Sequence, residues 1–409
     1  MAKLDEQKQA LVDYFRRGCK PQGPLTLGLE AEHFLTHAGG DPVTFAEVQG
    51  ILRQMQRAQD APITIDGLYM GYTAAQYSVT LEPACQLEVS IAPQSDVRRM
   101  LAVYDQFRLQ LDMTLAARGL RAWNVGYHPT RRAQDLPLIP KQRYEAMDRY
   151  FRHTGAGGIQ MMRATASTQL SIDYYSEQDF VQKMRAACLL APLLALLTDS
   201  AAHYQGHRNS GYSVRTRIWQ DVDDDRCGVP PHLMEPDFGF ARYAETVLTR
   251  PLIVALQGGR TVDVGEQTAQ QVYGAQLQQS EIEHILSMFF FDVRLKSYLE
   301  LRVADSMPAP YIAAYAQLIK AVFGSQAALQ NVLRHYAGMG AVDIANAKLA
   351  VCRDGYGAWV YGRPAAQELA WLLLQARSRL SSPEDRARLA PLASLAAGRK
   401  TIWEQETGL

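Results

Sequence analysis

The sequence predicts an α+β fold built on a largely antiparallel sheet with one open polar face, and three observations carry that expectation. Segments in which apolar and polar residues alternate, the mark of half-buried strands, recur along the 409 residues between amphipathic helical stretches. Several of these strands have one wholly polar face, which a parallel sheet covered by helices on both sides would bury at great cost. No fixed-period repeat, low-complexity tract or charge block divides the chain, so residues 1–309 read as one domain and residues 310–409 as a helical part packed on it.

The elements follow from local pattern. MAKLDEQKQALVDYFRR puts Leu4, Leu11, Val12 and Phe15 on one helical face, and Gly18, Pro21, Gly23 and Pro24 end that helix. Alternation from Leu25 to Leu35 predicts a strand, the spacing from Phe45 to Ala58 a helix, Tyr77 to Ile91 a second alternating segment and Ser95 to Arg118 a long helix. Arg121 to Gly126 reads as a strand, and Pro129 to Gly158, rich in Pro, Arg and Gly, as a long surface loop with some helix. Alternation returns at Met162 to Tyr174, Gly211 to Gln220 and Val293 to Val303, with an apolar helix around Phe180 to Asp199; from Pro310 the pattern is helical.

Composition narrows the partners. Lys and Arg number 42 and Asp and Glu 42, so no broad field draws the chain to nucleic acid or an anionic membrane, and small molecules are the expected partners of a monomer or homodimer. The charged N-terminal helix lacks the apolar run of a signal peptide, and the apolar run Ala186 to Leu197 is shorter than the roughly 18 to 20 residues that span a bilayer. Cys19, Cys85, Cys188, Cys227 and Cys352 are scattered without a CxxC pair, which suggests neither a zinc site nor a disulfide framework and fits a cytoplasmic location.

The polar strand faces carry the chemistry. In LTLGLEAEHF, Leu25, Leu27, Leu29 and Ala31 point one way and Glu30 and Glu32 the other, roughly 6.6 Å apart along the strand. SVTLEPACQLEVSIAP repeats the arrangement with Glu82, Gln86 and Glu88, and Pro83, which cannot donate to a ladder, suggests a bulge or edge. RLKSYLELRVADSMP leaves Glu300 beside Arg302. In RATASTQLSIDYY the polar side is Thr165, Ser167, Gln169, Ser171 and Asp173, and in SVRTRIWQD it is Ser213, Arg215, Arg217 and Trp219.

If these strands share a sheet, one face sets Glu30, Glu32, Glu82, Glu88 and Glu300 against Arg215, Arg217 and Arg302. Carboxylates without thiolates select a hard cation, and Mg²⁺ held by a few carboxylates commonly brings substrate phosphates with it. Arginines would then bind an acidic substrate or offset charge on a transferring phosphoryl group. GxSxG, HExxH, Walker A and GxGxxG motifs are all missing from the sequence, so ATP would be held through metal and open sheet. The same carboxylates would also serve a magnesium-dependent phosphohydrolase or a non-catalytic glutamate or nucleotide binder.

Seven ordered segments, LGLEAEHF, TLEPACQLEVS, PKQRYEAMDRYF, MMRATASTQLSIDY, SVRTRIWQDVDDDRCG, FGFARYAETVL and DVRLKSYLELRVADSMP, together resemble the glutamate-cysteine ligase family, especially its plant and proteobacterial branch. The resemblance implies a glutamine synthetase-like fold whose curved sheet forms a funnel, with two or three Mg²⁺ ions at its base and ATP as co-substrate. It implies metal carboxylates at Glu30, Glu32, Glu82, Glu88 and Glu300, and a metal or nucleotide contact at Gln169. Arg215 and Arg302 match arginines near glutamate and the transferred phosphoryl group, Arg143 and Arg163 look like further substrate or phosphate contacts, and Arg217 and Trp219 are pocket candidates. The implied reaction joins glutamate to cysteine through a γ-glutamyl phosphate, with another amine or amino acid as the alternative acceptor. Asp221 to Arg226 and the 129–158 loop could close over the site, the aspartates otherwise being a solvated turn. Family members commonly have Gly-Gly where this chain has Ala84 and Cys85, and Gly at the position of Val303, which leaves acceptor choice open.

Overall fold

In the computed structural model, which describes residues 2–408, the N-terminal half lays down one sheet and its helical cover. Helix α1 (Ala2–Gly18) leads into β1 (Leu27–His37), and α2 (Phe45–Met55) begins at a capping box in which Thr44 and Glu47 satisfy each other's backbone N–H groups. The hairpin β2 (Ala61–Ile65) and β3 (Leu68–Thr73) precedes β4 (Tyr77–Leu81), β5 (Leu87–Gln94), α3 (Val97–Ala116) and β6 (Leu120–Trp123). Helices α4 (Gln142–Thr154) and α5 (Gly158–Ala164) come next, followed by β7 (Thr168–Ile172), α6 (Glu177–Leu197), α7 (Val214–Trp219) and α8 (Phe240–Thr249). Two short strands, Val293–Leu295 and Leu299–Leu301, complete the main sheet.

The nine strands run in the order Val293–Leu295, Leu299–Leu301, β7, β1, β5, β4, β3, β2, with β6 on the far end of β1, and every pairing is antiparallel. The expected antiparallel α+β architecture is therefore present. Leu27, Leu29 and Ala31 on β1 and Leu87, Val89 and Ile91 on β5 are buried on one face, which α3 covers with Tyr104, Phe107 and Leu111. Helix α6 is buried throughout Ala186–Leu197 beneath the two short strands, and helix Ala309–Phe323 packs on β7. The other face carries the carboxylates, with α4, α5 and α7 rising around it as walls.

Three expectations need correction. The Tyr77–Ile91 segment is a hairpin of two strands, and Pro83 sits in its turn, where Glu82 N–H donates to Gln86 O at 2.9 Å, so the missing donor marks a chain reversal instead of a bulge. Gly211–Gln220 is not a strand but a loop leading into α7: over so few residues, alternation cannot be told from the i, i+4 pairing of Arg215 with Trp219. Met162–Tyr174 starts as the end of α5 and becomes a strand only at Thr168. Two hairpins went unforeseen, β2–β3 and Pro251–Gln257 with Arg260–Thr268, both turning through consecutive positive-φ residues, Asp66-Gly67 and Gly258-Gly259, as a type I′ turn requires.

His128, buried in the segment that follows β6 in the chain, accepts backbone N–H groups of Thr130 and Arg131 on Nδ1 and meets the Phe34 ring edge-on. Burial, reinforced by Arg131, lowers its pKa to about 4, so the folded protein holds it neutral. The unfolded chain takes up a proton near pH 6.5 and the folded one only near 4, so this contribution is whole above about pH 6.5 and falls by about 3 kcal/mol as pH drops to 4. His128→Asn keeps an acceptor for the turn and removes that slope. Urea unfolding of the two proteins at pH 7.5 and 4.5 checks this, and equal acid losses would contradict it.

Candidate functional site

Sheet register builds the acidic wall. Glu32 on β1 stands directly opposite Glu88 on β5, and Glu30 is paired with Ser90 on one side and Gln169 of β7 on the other. Glu82 joins them from the β4–β5 turn, which the buried Gln86 side chain braces by accepting from Ala84 N–H and donating to Met162, Arg163 and Thr165 carbonyls. All four carboxylates line one cavity of about 310 Å³. Like charges facing each other across a strand pair destabilise a sheet, and here Glu32 is buried and Glu88 half-buried.

The titration of these groups records the conflict. Burial, then the charge of Glu300, raises Glu30 to about 6, although Lys296, Arg294 and Arg302 pull it back. Burial, then Glu32, raises Glu82 to about 7. Glu88 is pushed well above the ordinary carboxylate range by burial and by Glu30, Glu82 and Glu32, despite a 3.1 Å hydrogen bond from Ser90 Oγ. Glu32 is the most firmly held, accepting from Ser167 N–H at 2.7 Å, Ser167 Oγ at 2.8 Å and Gln169 Nε2 at 3.2 Å.

The opposite wall is basic. Arg294 projects from the first short strand, Lys296 and Arg302 directly follow the first and second, Arg143 and Lys141 come from the start of α4, and Arg215 from α7. Behind this wall lies Glu300, fully buried, with Arg294 Nη2 at 2.6 Å, Arg302 Nη1 at 2.9 Å and Lys296 Nζ at 3.1 Å. Burial alone would raise its pKa, but these three cations overcome that and hold it well below the ordinary range. Gln169 ties the walls together: its Oε1 accepts from Arg302 Nη1 at 2.6 Å while its Nε2 donates to Glu32. Ser287 fixes Arg143 through its Oγ at 2.9 Å and its carbonyl at 2.8 Å, and Thr165 Oγ1 accepts from Arg215 Nη1 at 3.2 Å.

Glu30, Glu32, Glu82, Glu88, Gln169, Arg143, Arg215, Trp219 and Arg302 thus meet at one cavity. Three expected residues stand elsewhere. Glu300, expected among the metal carboxylates, has both oxygens engaged by cations and orients the basic wall from behind. Arg163 lies on α5, not on a strand, and turns from the cavity to Asp148 at 2.6 Å and Leu136 O at 3.0 Å. Arg217 sits on a helix about 200° around from Arg215, so it faces the Tyr204 ring at 4.6 Å, whereas Trp219, i+4 from Arg215, shares its face. The Asp221–Arg226 segment is not a wholly solvated turn, since Asp223 and Arg226 form a buried pair at 2.5 Å.

Lys141, Arg294, Lys296, Tyr144 and Ser287 were missed. Arg294 and Lys296 share the even-numbered face of Glu300 and Arg302, so the alternation of RLKSYLELR already contained them.

Among the described residues, no three His, Cys, Asp or Glu side chains close on one point as a ready-made metal cluster. The donor set nevertheless fits a hard divalent cation: four carboxylates without a thiolate, three of them raised by burial and mutual repulsion that such an ion would relieve.

Residues 26–393 match the family described as glutamate-cysteine ligase family 2. The chain is 29% identical to a chloroplastic glutamate-cysteine ligase of Medicago truncatula over 336 residues, 80% of this chain and 66% of that one. The Arabidopsis thaliana chloroplastic enzyme is 29% identical over 311 residues, 74% of this chain and 60% of that one, so the chain spans less than two thirds of these relatives. In structure it resembles a glutamate-cysteine ligase of Francisella tularensis solved in complex with AMP, with a TM-score of 0.59 over 94% of this chain and 84% of that one at 11% identity, which shows a shared fold.

Removing the Glu300 carboxylate leaves three cations facing each other in a buried setting. Glu300→Ala is expected to cost about 3–5 kcal/mol in urea unfolding. A loss under about 1 kcal/mol would contradict this structural role.

Proposed function

Because the chain belongs to glutamate-cysteine ligase family 2, we propose that it is an ATP- and Mg²⁺-dependent ligase that joins the γ-carboxylate of glutamate to the amine of cysteine. One observation carries the reading: acidic and basic walls facing each other across a single cavity. A metal-bound triphosphate presents both charges at once and suits such a cleft. The nucleotide in the Francisella tularensis ligase of the same fold supports the ATP assignment.

In the proposed reaction the γ-carboxylate of glutamate attacks the γ-phosphate of ATP, ADP leaves, and the acceptor amine displaces phosphate from γ-glutamyl phosphate. Mg²⁺ held by Glu30, Glu82 and Glu88, with Glu32 beside them, would supply charge neutralisation on the phosphate oxygens. Arg302, aimed by Glu300 and Gln169, and Arg215, held by Thr165, provide fixed positive charge for the transferring phosphoryl group. Arg143, clamped on Ser287, is placed to hold a substrate carboxylate. Met147, Met161, Met162, Phe290 and Trp219 line the remaining wall and restrict water that would hydrolyse the acyl phosphate. No protein nucleophile takes part.

Two experiments test this. Purified protein with ATP, Mg²⁺, glutamate and a panel of amines, read by mass spectrometry, is expected to yield γ-glutamylcysteine; phosphate release that is indifferent to any amine would contradict the ligase reading, and a product with another amine alone would move the acceptor. Glu88→Gln is expected to lower kcat about 100-fold or more and, without metal, to raise stability by about 1 kcal/mol, because it deletes one of the facing charges. A metal-free variant less stable than wild type would show that Glu88 serves packing.

A further inference from the structure

Five of the six cations lining the cavity are already engaged: Arg143 by Ser287, Arg215 by Thr165 and the Arg302 carbonyl, and Arg294, Lys296 and Arg302 by Glu300. Of the cavity cations, Lys141 is the one with no hydrogen-bond acceptor or ion-pair partner for its Nζ among the described residues; that Nζ lies 4.3 Å from the centre of the Tyr144 ring. Its position is equally unusual. Lys141 is the N-cap of α4 and makes no side-chain capping bond, in a place where Ser, Thr, Asp or Asn would satisfy the helix and where the helix dipole disfavours a cation. A second cation, Arg143, follows in the first turn. Local preference is thus overridden twice at one helix start, on the rim of the cavity and near Glu82. Such conflicts between local rule and structure concentrate at functional positions.

Resting on the ligase reading, we infer that Lys141 is a substrate-binding residue whose ammonium takes an oxyanion of an incoming substrate, a carboxylate or phosphoryl oxygen, with Arg143 as the neighbouring cation. The helix gives up a proper cap so that this anion is met by two positive side chains and the positive end of α4.

Lys141→Asn separates binding from structure. Asparagine is a good cap, so the ligand-free variant is expected to melt a few degrees higher than wild type. Its KM for either glutamate or ATP is expected to rise about tenfold, with the other changed less than about twofold, and Lys141→Arg is expected to restore part of the loss. A rise for glutamate identifies a carboxylate and a rise for ATP a phosphoryl group. Calorimetric titration of ADP-Mg²⁺ and of glutamate into wild type and variant gives the same comparison without turnover, so a failed ligase assay would leave this test standing. Unchanged affinity for both ligands, or a lower melting temperature with unchanged affinity, would overturn the inference and leave Lys141 a nearby positive charge for Glu82.

Discussion

Strand register forces carboxylates into mutual contact, and the remainder of the site is arranged around that repulsion. An antiparallel pair in which Glu32 faces Glu88, with Glu30 two residues along β1 and Glu82 on the adjoining turn, would be a poor way to build a sheet if the face were meant to stay empty. The apolar residues of the same strands are among the most buried in the protein, so the core fixes the register and the charges have no freedom to slip away. Repulsion is contained on one side by Ser167 and Gln169, which bind Glu32, and answered on the other by Arg294, Lys296 and Arg302. Gln169 is the only side chain bonded to both walls among the described residues, and its amide orientation follows from having a carboxylate on one side and a guanidinium on the other.

The helical C-terminal part supports this arrangement directly. Lys348, on the helix Ala341–Asp354, pairs with Asp292, whose carbonyl accepts the backbone N–H of Arg302 at 3.0 Å. Residues beyond 310 therefore brace the strand that carries the basic wall, and helix Ala309–Phe323 packs beneath β7. Glu300 shows why a carboxylate can be essential without facing a ligand: wholly enclosed, it converts three repelling cations into a fixed triad.

Much of this was legible in the sequence wherever a two-residue period met a chemically marked face. Glu30, Glu32 and Glu88 could be placed together because strand parity alone decides which way they point. The same parity contained Arg294 and Lys296, which share the even-numbered face of Glu300 and Arg302. Parity failed on α7, where residues 213–219 alternate as well as any strand but wind as a helix, which joins Arg215 to Trp219 and expels Arg217. Glu300 was misplaced for a different reason, since its parity is right but nothing in the sequence tells how many cations crowd the same buried space. Ser287 and Lys141 come from helix ends brought in by tertiary packing, beyond the reach of any local pattern. The departure at Ala84 and Cys85 has a backbone consequence: Cys85 adopts φ +66°, a conformation that glycine enters more easily, yet it is buried outside the cavity, so the exchange falls on the turn that carries Glu82 and not on the walls that meet substrate.

The central claim is that Glu30, Glu82 and Glu88 converge on divalent cations that grip a triphosphate across from Arg302. Anomalous diffraction from crystals grown with Mn²⁺ and a non-hydrolysable ATP analogue measures this directly. Manganese peaks within bonding distance of those carboxylates, with the terminal phosphate facing Arg302, are expected. Manganese bound away from this cavity, or an analogue bound there without any metal, would contradict the account.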